Sequence, residues 1–443
     1  MAKIAPFRGL RYNTASVSLE EVVAPPYDVI GDEQRDFLYE RHPQNIVRLE
    51  RGKELPADNL QENKYTRARK DFEQWVQEGI LRREEQPSIY IYEQEYRYSS
   101  ETPKTRRGFM ALARLEEQES RVILGHEQTL MPPKLDRLNL MKECKANLSP
   151  IFSLFSQPEG TIDKMLAEVA SRQTPIADFS DDGGIRNRLW VVNDGIFIKS
   201  LIAHMRDKAI IIADGHHRYE TALIYRHIKR SDKNSPADER PYDYVMMMFV
   251  NLDGGGVTIY PIHRIVHGIS GFDPATFRRR IEEHFEITSY SFTCSDCEGV
   301  TDMLLADLAR AGENTNAFGL YLGGDRFDLL KARDSGRLRG FVEDNHCESW
   351  KTLDVTIAQT VILQGILGID TKNISKEEHV QYTPWGRTAL EAVRHGEAQI
   401  ALLLNPTRPE QVKSVTYAGE KMPQKSTFFY PKLLSGLVIN QFD

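Results

Sequence analysis

The chain has 443 residues, 40% of them apolar and 27% charged, with 57 Lys and Arg against 64 Asp and Glu for a net charge of −7 at pH 7. At roughly 150 residues per domain this length suggests two or three domains, and so much apolar material excludes a largely disordered chain. The acidic balance speaks against a general nucleic-acid binder, no apolar run approaches the roughly 18–20 residues of a membrane span, and 4 cysteines make no disulfide framework. The first residues, Met1 to Arg8, contain no hydrophobic leader, so the expected setting is the cytoplasm.

In chain order, Pro25 and Pro26 stiffen the segment Ala24-Pro25-Pro26-Tyr27-Asp28, and residues 32–40 predict a short helix that stops before Pro43. Residues 63–78 place Tyr65, Ala68, Phe72, Trp75 and Val76 near helical spacing, with Gly79 as the stop. Alternation in 88–96 and the run 108–115 predict two strands joined by a polar hairpin around 99–104. Residues 125–150 show no clean periodicity and read as loop, and 161–170 read as helix.

The β-branched run at 209–213 predicts a buried strand and 219–229 a helix, which puts Asp214-Gly215-His216-His217-Arg218 on a strand-to-helix turn. Residues 231–240 are a polar surface loop, and 244–250 with 257–262 read as a hairpin across Asp253-Gly254-Gly255-Gly256. Helices follow at 275–284, 300–311 and 352–365, with strands at 318–322, 327–330 and 399–404. Ser375 and Glu378 have the spacing of a capping box. Strands and helices are mixed rather than alternating, so the expected class is α+β, divided into 1–240 and 241–443.

The turn packs a carboxylate, two imidazoles and a guanidinium into five residues. A helix start favours anions, Arg218 can grip a phosphate through its fork, and His216 or His217 can add donors that titrate near neutrality. Asp214 has the wrong sign for phosphate and suits Mg²⁺ or a substrate hydroxyl instead. The plainer alternative is an N-cap aspartate beside two incidental surface histidines.

His126, Glu127 and Thr129, with Lys134 and Arg137 just after, offer a carboxylate base and phosphate-binding cations, or equally a solvated loop. His263 and Arg264 end a strand and either face the same cleft or form a strand-end salt bridge, and Asp28 alone reads as a turn residue. Cys294 and Cys297 make one pair, and Cys347 with His346 is only a loose complement, so no zinc site is expected. The glycines at 254–256 lack the Lys-Ser/Thr ending of a P-loop.

At these residues the chain resembles the DUF1015 family nearly end to end. The resemblance runs through Ala24 to Ile30, His42-Pro43-x-Asn45-x-x-Arg48-Leu49, His126-Glu127-x-Thr129, Lys134-x-Asp136-Arg137, Ala213 to Ala222, Pro261-x-His263-Arg264 and Met422 to Lys432. Its Asp-Gly-His-His-Arg turn is similar to that of the free serine kinases of the ParB/sulfiredoxin-like superfamily. That resemblance implies an α+β fold with a ParB/sulfiredoxin-like mixed sheet core and additional α/β segments. It also implies phosphorylation of free L-serine to O-phosphoserine from ATP or ADP, or from pyrophosphate, with Mg²⁺ on Asp214.

The roles it implies are Asp214, Glu127 and His216 in catalysis, with Glu127 as base. His216, His217, Arg218, His126, Thr129, Lys134, Arg137, His263 and Arg264 would bind phosphate or nucleotide, and Tyr27, Asp28, Asn45 and Arg48 the substrate. The expected partners are a small-molecule substrate and a phosphate donor, without membrane or nucleic acid, and a homodimer stays open. Two other classes compete: a nucleotide-binding, ParB-like regulatory protein without kinase activity, and a phosphohydrolase.

Overall fold

The run Val245 to Val250 has no polar face, and it lies within a nine-stranded mixed sheet of the computed structural model. The structure describes residues 2–97, 103–129, 131–232, 237–293, 297–343, 345–370 and 378–442. The chain divides into two compact units. The first comprises Met1–Gly125, Thr129–Thr258 and Pro431–Asp443, and the second comprises His126–Gln128 and Ile259–Tyr430. The expected hairpin residues 99–102, Cys294 and the capping-box residue Ser375 lie outside the described residues, as do 233–236 of the expected surface loop.

The strands of the first unit are β1 (Ile4–Ala5), β2 (Leu10–Tyr12), β3 (Leu81–Arg83), β4 (Ile89–Tyr96), β5 (Lys104–Arg114) and β6 (Ile123–Gly125). They continue with β7 (Ala146–Asn147), β8 (Ile151–Phe155), β9 (Ala177–Ser180), β10 (Arg186–Val192), β11 (Ile210–Asp214) and β12 (Tyr244–Asn251). The sheet runs β6-β11-β8-β12-β5-β4-β10-β9, and β1 pairs off this path with Leu112 and Ala113 of β5. β11 is parallel to β6 and β12 is parallel to β8, while the other pairs are antiparallel.

The helices of this unit are α1 (Leu19–Val22), α2 (Asp32–Arg41), α3 (Val47–Glu50), α4 (Lys64–Gln77), α5 (Met131–Cys144), α6 (Thr161–Arg172), α7 (Gly195–Met205) and α8 (His216–Arg230). Local chemistry sets several of their ends. Asn63 accepts from the N–H of Tyr65 and Thr66, the Thr66 hydroxyl accepts from Asn63 N–H, and Gly79 at φ +71° closes α4.

Two expectations need correction. The stretch 125–150 is not loop, because α5 occupies most of it. Leu138 and Met141 pack into the sheet core, whereas Leu140 and Cys144 pack into a second core with Phe72 and Trp75. A helix buried on two sides carries no single apolar stripe, which hid it. Nor do 244–250 and 257–262 form a hairpin. β12 has β5 and β8 as its neighbours, and the segment after the glycines pairs elsewhere.

In the second unit β13 (Thr258–Tyr260) is followed by β14 (His263–Val266), β15 (Phe285–Ser291), β16 (Ala317–Tyr321) and β17 (Arg326–Ala332). β18 (Val380–Thr383), β19 (Ile400–Leu404) and β20 (Phe428–Tyr430) complete it. Six of them form an antiparallel sheet in the order β15-β17-β16-β19-β14-β18, and β13 pairs with β20. Helices Cys297–Gly312 and Gly386–Arg394 bury Leu304, Leu308, Ala389 and Leu390 against this sheet. The expected helix 352–365 forms, with a π-helical stretch at Ala358–Ile366. The class is α+β. Among the described residues no helix is long and apolar enough to cross a membrane.

Candidate functional site

β11 ends at Asp214 and α8 begins at His216, with Gly215 between them at φ +95°. That left-handed conformation suits glycine, and a Cβ there would lie 2.9 Å from Nε and Nη2 of Arg218. The five motif residues therefore sit on the strand-to-helix turn, as expected. The first intrahelical bond of α8 runs from Tyr219 N to Gly215 O, so the amides of residues 216–218 form the electropositive end of the helix.

Asp214 is held from two sides. Its Oδ2 accepts from Arg218 Nη2 at 2.9 Å, and its Oδ1 accepts from Lys432 Nζ at 2.6 Å. Burial alone would raise its pKa, but the Lys432 and Arg218 charges outweigh burial and keep the carboxyl far below the usual range. Arg218 Nη1 donates to Pro150 O at 2.6 Å and to Ser149 Oγ at 3.2 Å. The Nη1 and Nη2 arms expected to grip phosphate thus engage Asp214 and the segment before β8, while the buried Nε has no hydrogen-bond partner.

These contacts also bear on whether Asp214 suits Mg²⁺. Both Asp214 oxygens already face cations, and the described residues contain no cluster of three or more carboxylate, His or Cys side chains able to hold an ion. Mg²⁺ taken directly by Asp214 would have to displace an ammonium against like charge, so this turn does not fit it.

The two histidines differ. His216 is buried, with its ring edge close to Gly125, whose missing side chain leaves it room. His217 is half-buried. Burial lowers its pKa from the ordinary 6.5, the Asp28 and Glu220 carboxylates push back, and Lys134 and Arg218 add to the lowering. The net shift favours the neutral imidazole. Asp28 is exposed, and its neighbour Tyr27 is buried under the Arg137 guanidinium at 3.9 Å.

Other expected residues have structural partners. Thr129 Oγ1 and Lys134 Nζ both donate to Glu220 Oε2, at 2.5 and 2.9 Å. Arg137 donates to Glu50 at 2.9 Å and to Asp136 at 2.6 Å, so it braces α5 against α3 instead of offering a free phosphate fork. Asn45 is fully buried, and its amide serves Glu21 O, Val23 O and Val47 N. Arg48 donates to Tyr39 O and lies over the Tyr39 ring at 4.4 Å. Both side chains thus have structural partners within the first unit.

Four candidates belong to the second unit. His126 is buried, shares a 3.0 Å hydrogen bond with Thr427 and sets its ring edge toward Phe429, which packs it against the 422–430 segment. Glu127, half-buried, follows it in the same unit. His263 Nδ1 accepts from Leu404 N at 3.1 Å, and burial drives its pKa down to about 3. Arg264 donates to Ile262 O and Lys425 O and faces the Tyr382 ring at 5.1 Å, and burial lowers its pKa to about 10.

Sequence reasoning missed Glu220, Ser149 and Glu50. It named Lys432 without a role. Glu220 lies within the motif's own continuation, Arg218-Tyr219-Glu220, and was legible as the next polar residue on that helix face.

Residues 4–356 match the family described as protein of unknown function (DUF1015), and the chain belongs to that family. No curated protein matches it. Among solved structures it is similar to a free serine kinase mutant in complex with AMP, at 12% identity and TM-score 0.37, covering 78% of this chain and 96% of that one. A free serine kinase mutant in complex with ADP gives 10% identity, TM-score 0.37 and the same coverages, 78% and 96%. A conserved hypothetical protein from Pyrococcus furiosus gives 12% identity and TM-score 0.33, covering 71% of this chain and 88% of that one.

Proposed function

We propose that the protein is a phosphotransferase that moves the terminal phosphoryl group of a nucleotide onto the hydroxyl of a small molecule, with free L-serine as the acceptor that its motif suggests. In this reading the first unit's sheet is a ParB/sulfiredoxin-like core. The observation that carries the reading is the turn itself: a glycine-bent strand-to-helix junction at a helix N-terminus, with a His217 whose pKa burial lowers and cations held on Asp214.

Donor phosphates sit at the N-terminal amides of α8, where partial positive charge meets developing negative charge. The acceptor oxygen attacks the terminal phosphorus while the bond to the bridging oxygen of the leaving nucleoside phosphate breaks, and the hydroxyl proton passes to His217. Asp214 is a poor base because its pKa lies far from neutrality, so its work is to hold Lys432 and Arg218 in place. The reading takes no metal ligand from this turn.

The test is a screen of ATP, ADP, CTP and pyrophosphate against L-serine, other hydroxyl amino acids and polyols, with and without Mg²⁺. Transfer to L-serine that His217→Ala lowers by about 100-fold supports the assignment. Absence of transfer from every donor to every acceptor, with donor hydrolysis instead, would replace it with a phosphohydrolase.

A further inference from the structure

The ends of α2, α3, α4 and α5 enclose a cleft of about 560 Å³ within the first unit, lined among others by Tyr27, Asp32, Glu50, Arg51, Lys64 and Arg137. That volume falls in the range of small-molecule sites, roughly 300–1,000 Å³. Most charges along its wall are matched. Lys64 Nζ meets Glu54 and Asp136 at 2.9 Å each, and Arg35 donates to Asp32 and to Asp36 at 3.0 Å each. Arg137 divides its fork between Glu50 Oε2 and Asp136.

Two neighbouring residues are not fully matched. Glu50 is 3% exposed, and its Oε1 is buried without a hydrogen-bond partner. Arg51 Nε is likewise buried without an acceptor. The contact of Arg51 Nη2 with Asp32 is 3.5 Å long, and it goes to an oxygen that already holds Arg35. A buried charged group with unused hydrogen-bonding capacity is costly, so the cleft is incomplete at two points of opposite sign.

The pair selects the chemistry of its complement. An anion alone would suit Arg51 and set a like charge beside Glu50, and a cation alone would do the reverse. A molecule with an ammonium and a carboxylate on one carbon satisfies both: Glu50 Oε1 accepts from the ammonium, and the planar Arg51 guanidinium donates to the carboxylate. Tyr27 lines the cleft, and the next residue, Asp28, acts by its charge on His217.

We propose that the cleft binds a small α-amino acid, with Glu50 and Arg51 as the residues that read its two charges. This rests on the phosphotransferase reading for the amino acid's role as acceptor, though not for its binding. An effector amino acid would engage the same two groups.

The test measures binding of L-serine, ethanolamine and 3-hydroxypropionate by calorimetry to the full chain and to its Arg51→Gln and Glu50→Gln variants. Ethanolamine lacks the carboxylate, and 3-hydroxypropionate lacks the ammonium. Arg51→Gln should weaken serine about tenfold or more and leave ethanolamine unchanged, and Glu50→Gln should weaken serine and leave 3-hydroxypropionate unchanged. The Arg51 side chain is 37% exposed, so its variant keeps the parent's melting temperature and decides the matter even where Glu50→Gln does not fold. A serine KM raised in Arg51→Gln with the donor KM unchanged marks the acceptor. Serine-dependent turnover of another acceptor, abolished in Arg51→Gln, marks an effector, and both results uphold the site. Serine affinity equal in the parent and Arg51→Gln would overturn it, and so would equal weakening of serine and ethanolamine. A full chain that binds ADP but no amino acid would also overturn it and leave the phosphotransferase reading standing. Serine binding without nucleotide binding removes that reading and keeps the cleft.

Discussion

The guanidinium of Arg137 covers the ring of Tyr27 at 3.9 Å, and through that contact α5 fixes the loop that sets Asp28 near His217. Burial raises the Tyr27 phenol far above its ordinary range, with the Asp28 charge adding to the rise and Arg137 opposing it. The loop is thus tied to the helix by a cation and a neutral ring, and the stability of that tie depends on what compensates Arg137.

Glu50 is the buried half of that compensation. Its side chain is 3% exposed, and its Oε2 meets Arg137 Nη1 at 2.9 Å. Removing one partner of a buried ion pair strands the other, at a cost of roughly 3–5 kcal/mol. Glu50→Ala should therefore lower stability by about that much, less what Asp136 recovers by continuing to hold the same guanidinium. Urea titration of both proteins measures it. A loss under about 1 kcal/mol, the range of exposed pairs, would show that Asp136 suffices.

Gly215→Ala introduces a Cβ into a left-handed backbone and against the Arg218 guanidinium at 2.9 Å. The backbone term alone is of order 1–3 kcal/mol. The expected outcome is a folded protein with a lower melting temperature and donor binding weakened more than stability alone explains, because Arg218 must leave Asp214. Parallel thermal melts and ADP titrations check it, and wild-type affinity would show that the turn tolerates the shift.

His263 gives the second unit a pH dependence of known sign. Its folded pKa of about 3 lies below the ordinary 6.5, so between those values the unfolded chain binds a proton that the folded chain does not. Stability from this group is present above about pH 6.5 and falls as the solution is acidified toward pH 3. Asp354, raised to about 6 by burial, works in the opposite direction, losing stability as pH rises from 3.8 toward 6. The clean comparison is the pH slope of the urea midpoint in the parent and in His263→Gln. The variant should lose part of the acid sensitivity, and an identical slope would show that His263 takes up no proton on unfolding in this range.

The sequence exposed the strand, the turn and the helix around Asp214 because all three signals are local: a β-branched run, a glycine and an amphipathic stretch. It hid α5 because that helix divides its apolar residues between two cores, and periodicity detects only one-sided burial. It misread 244–262 as a hairpin because adjacency in sequence says nothing about which partners a central strand takes. The roles of Arg218 and Lys432 depend on contacts with Pro150 and Asp214, and the second of these joins residues 218 positions apart in the chain. Residue type can suggest a phosphate ligand, but only the fold reveals which partners a guanidinium already has.

The first unit is interrupted by the second, so its last segment, which pairs with β7, returns only after a long excursion of the chain. Closing a flexible excursion costs entropy that grows with the logarithm of its length. Here β13 and β20 pair at the two ends of the second unit, and Tyr260 stacks on Tyr430 at 4.6 Å. Once that pair forms, the excursion's ends are only one strand spacing apart, about 4.8 Å, and the effective loop is short. The strand pair acts as a clasp: it turns a distant tail into a near neighbour of the unit it completes.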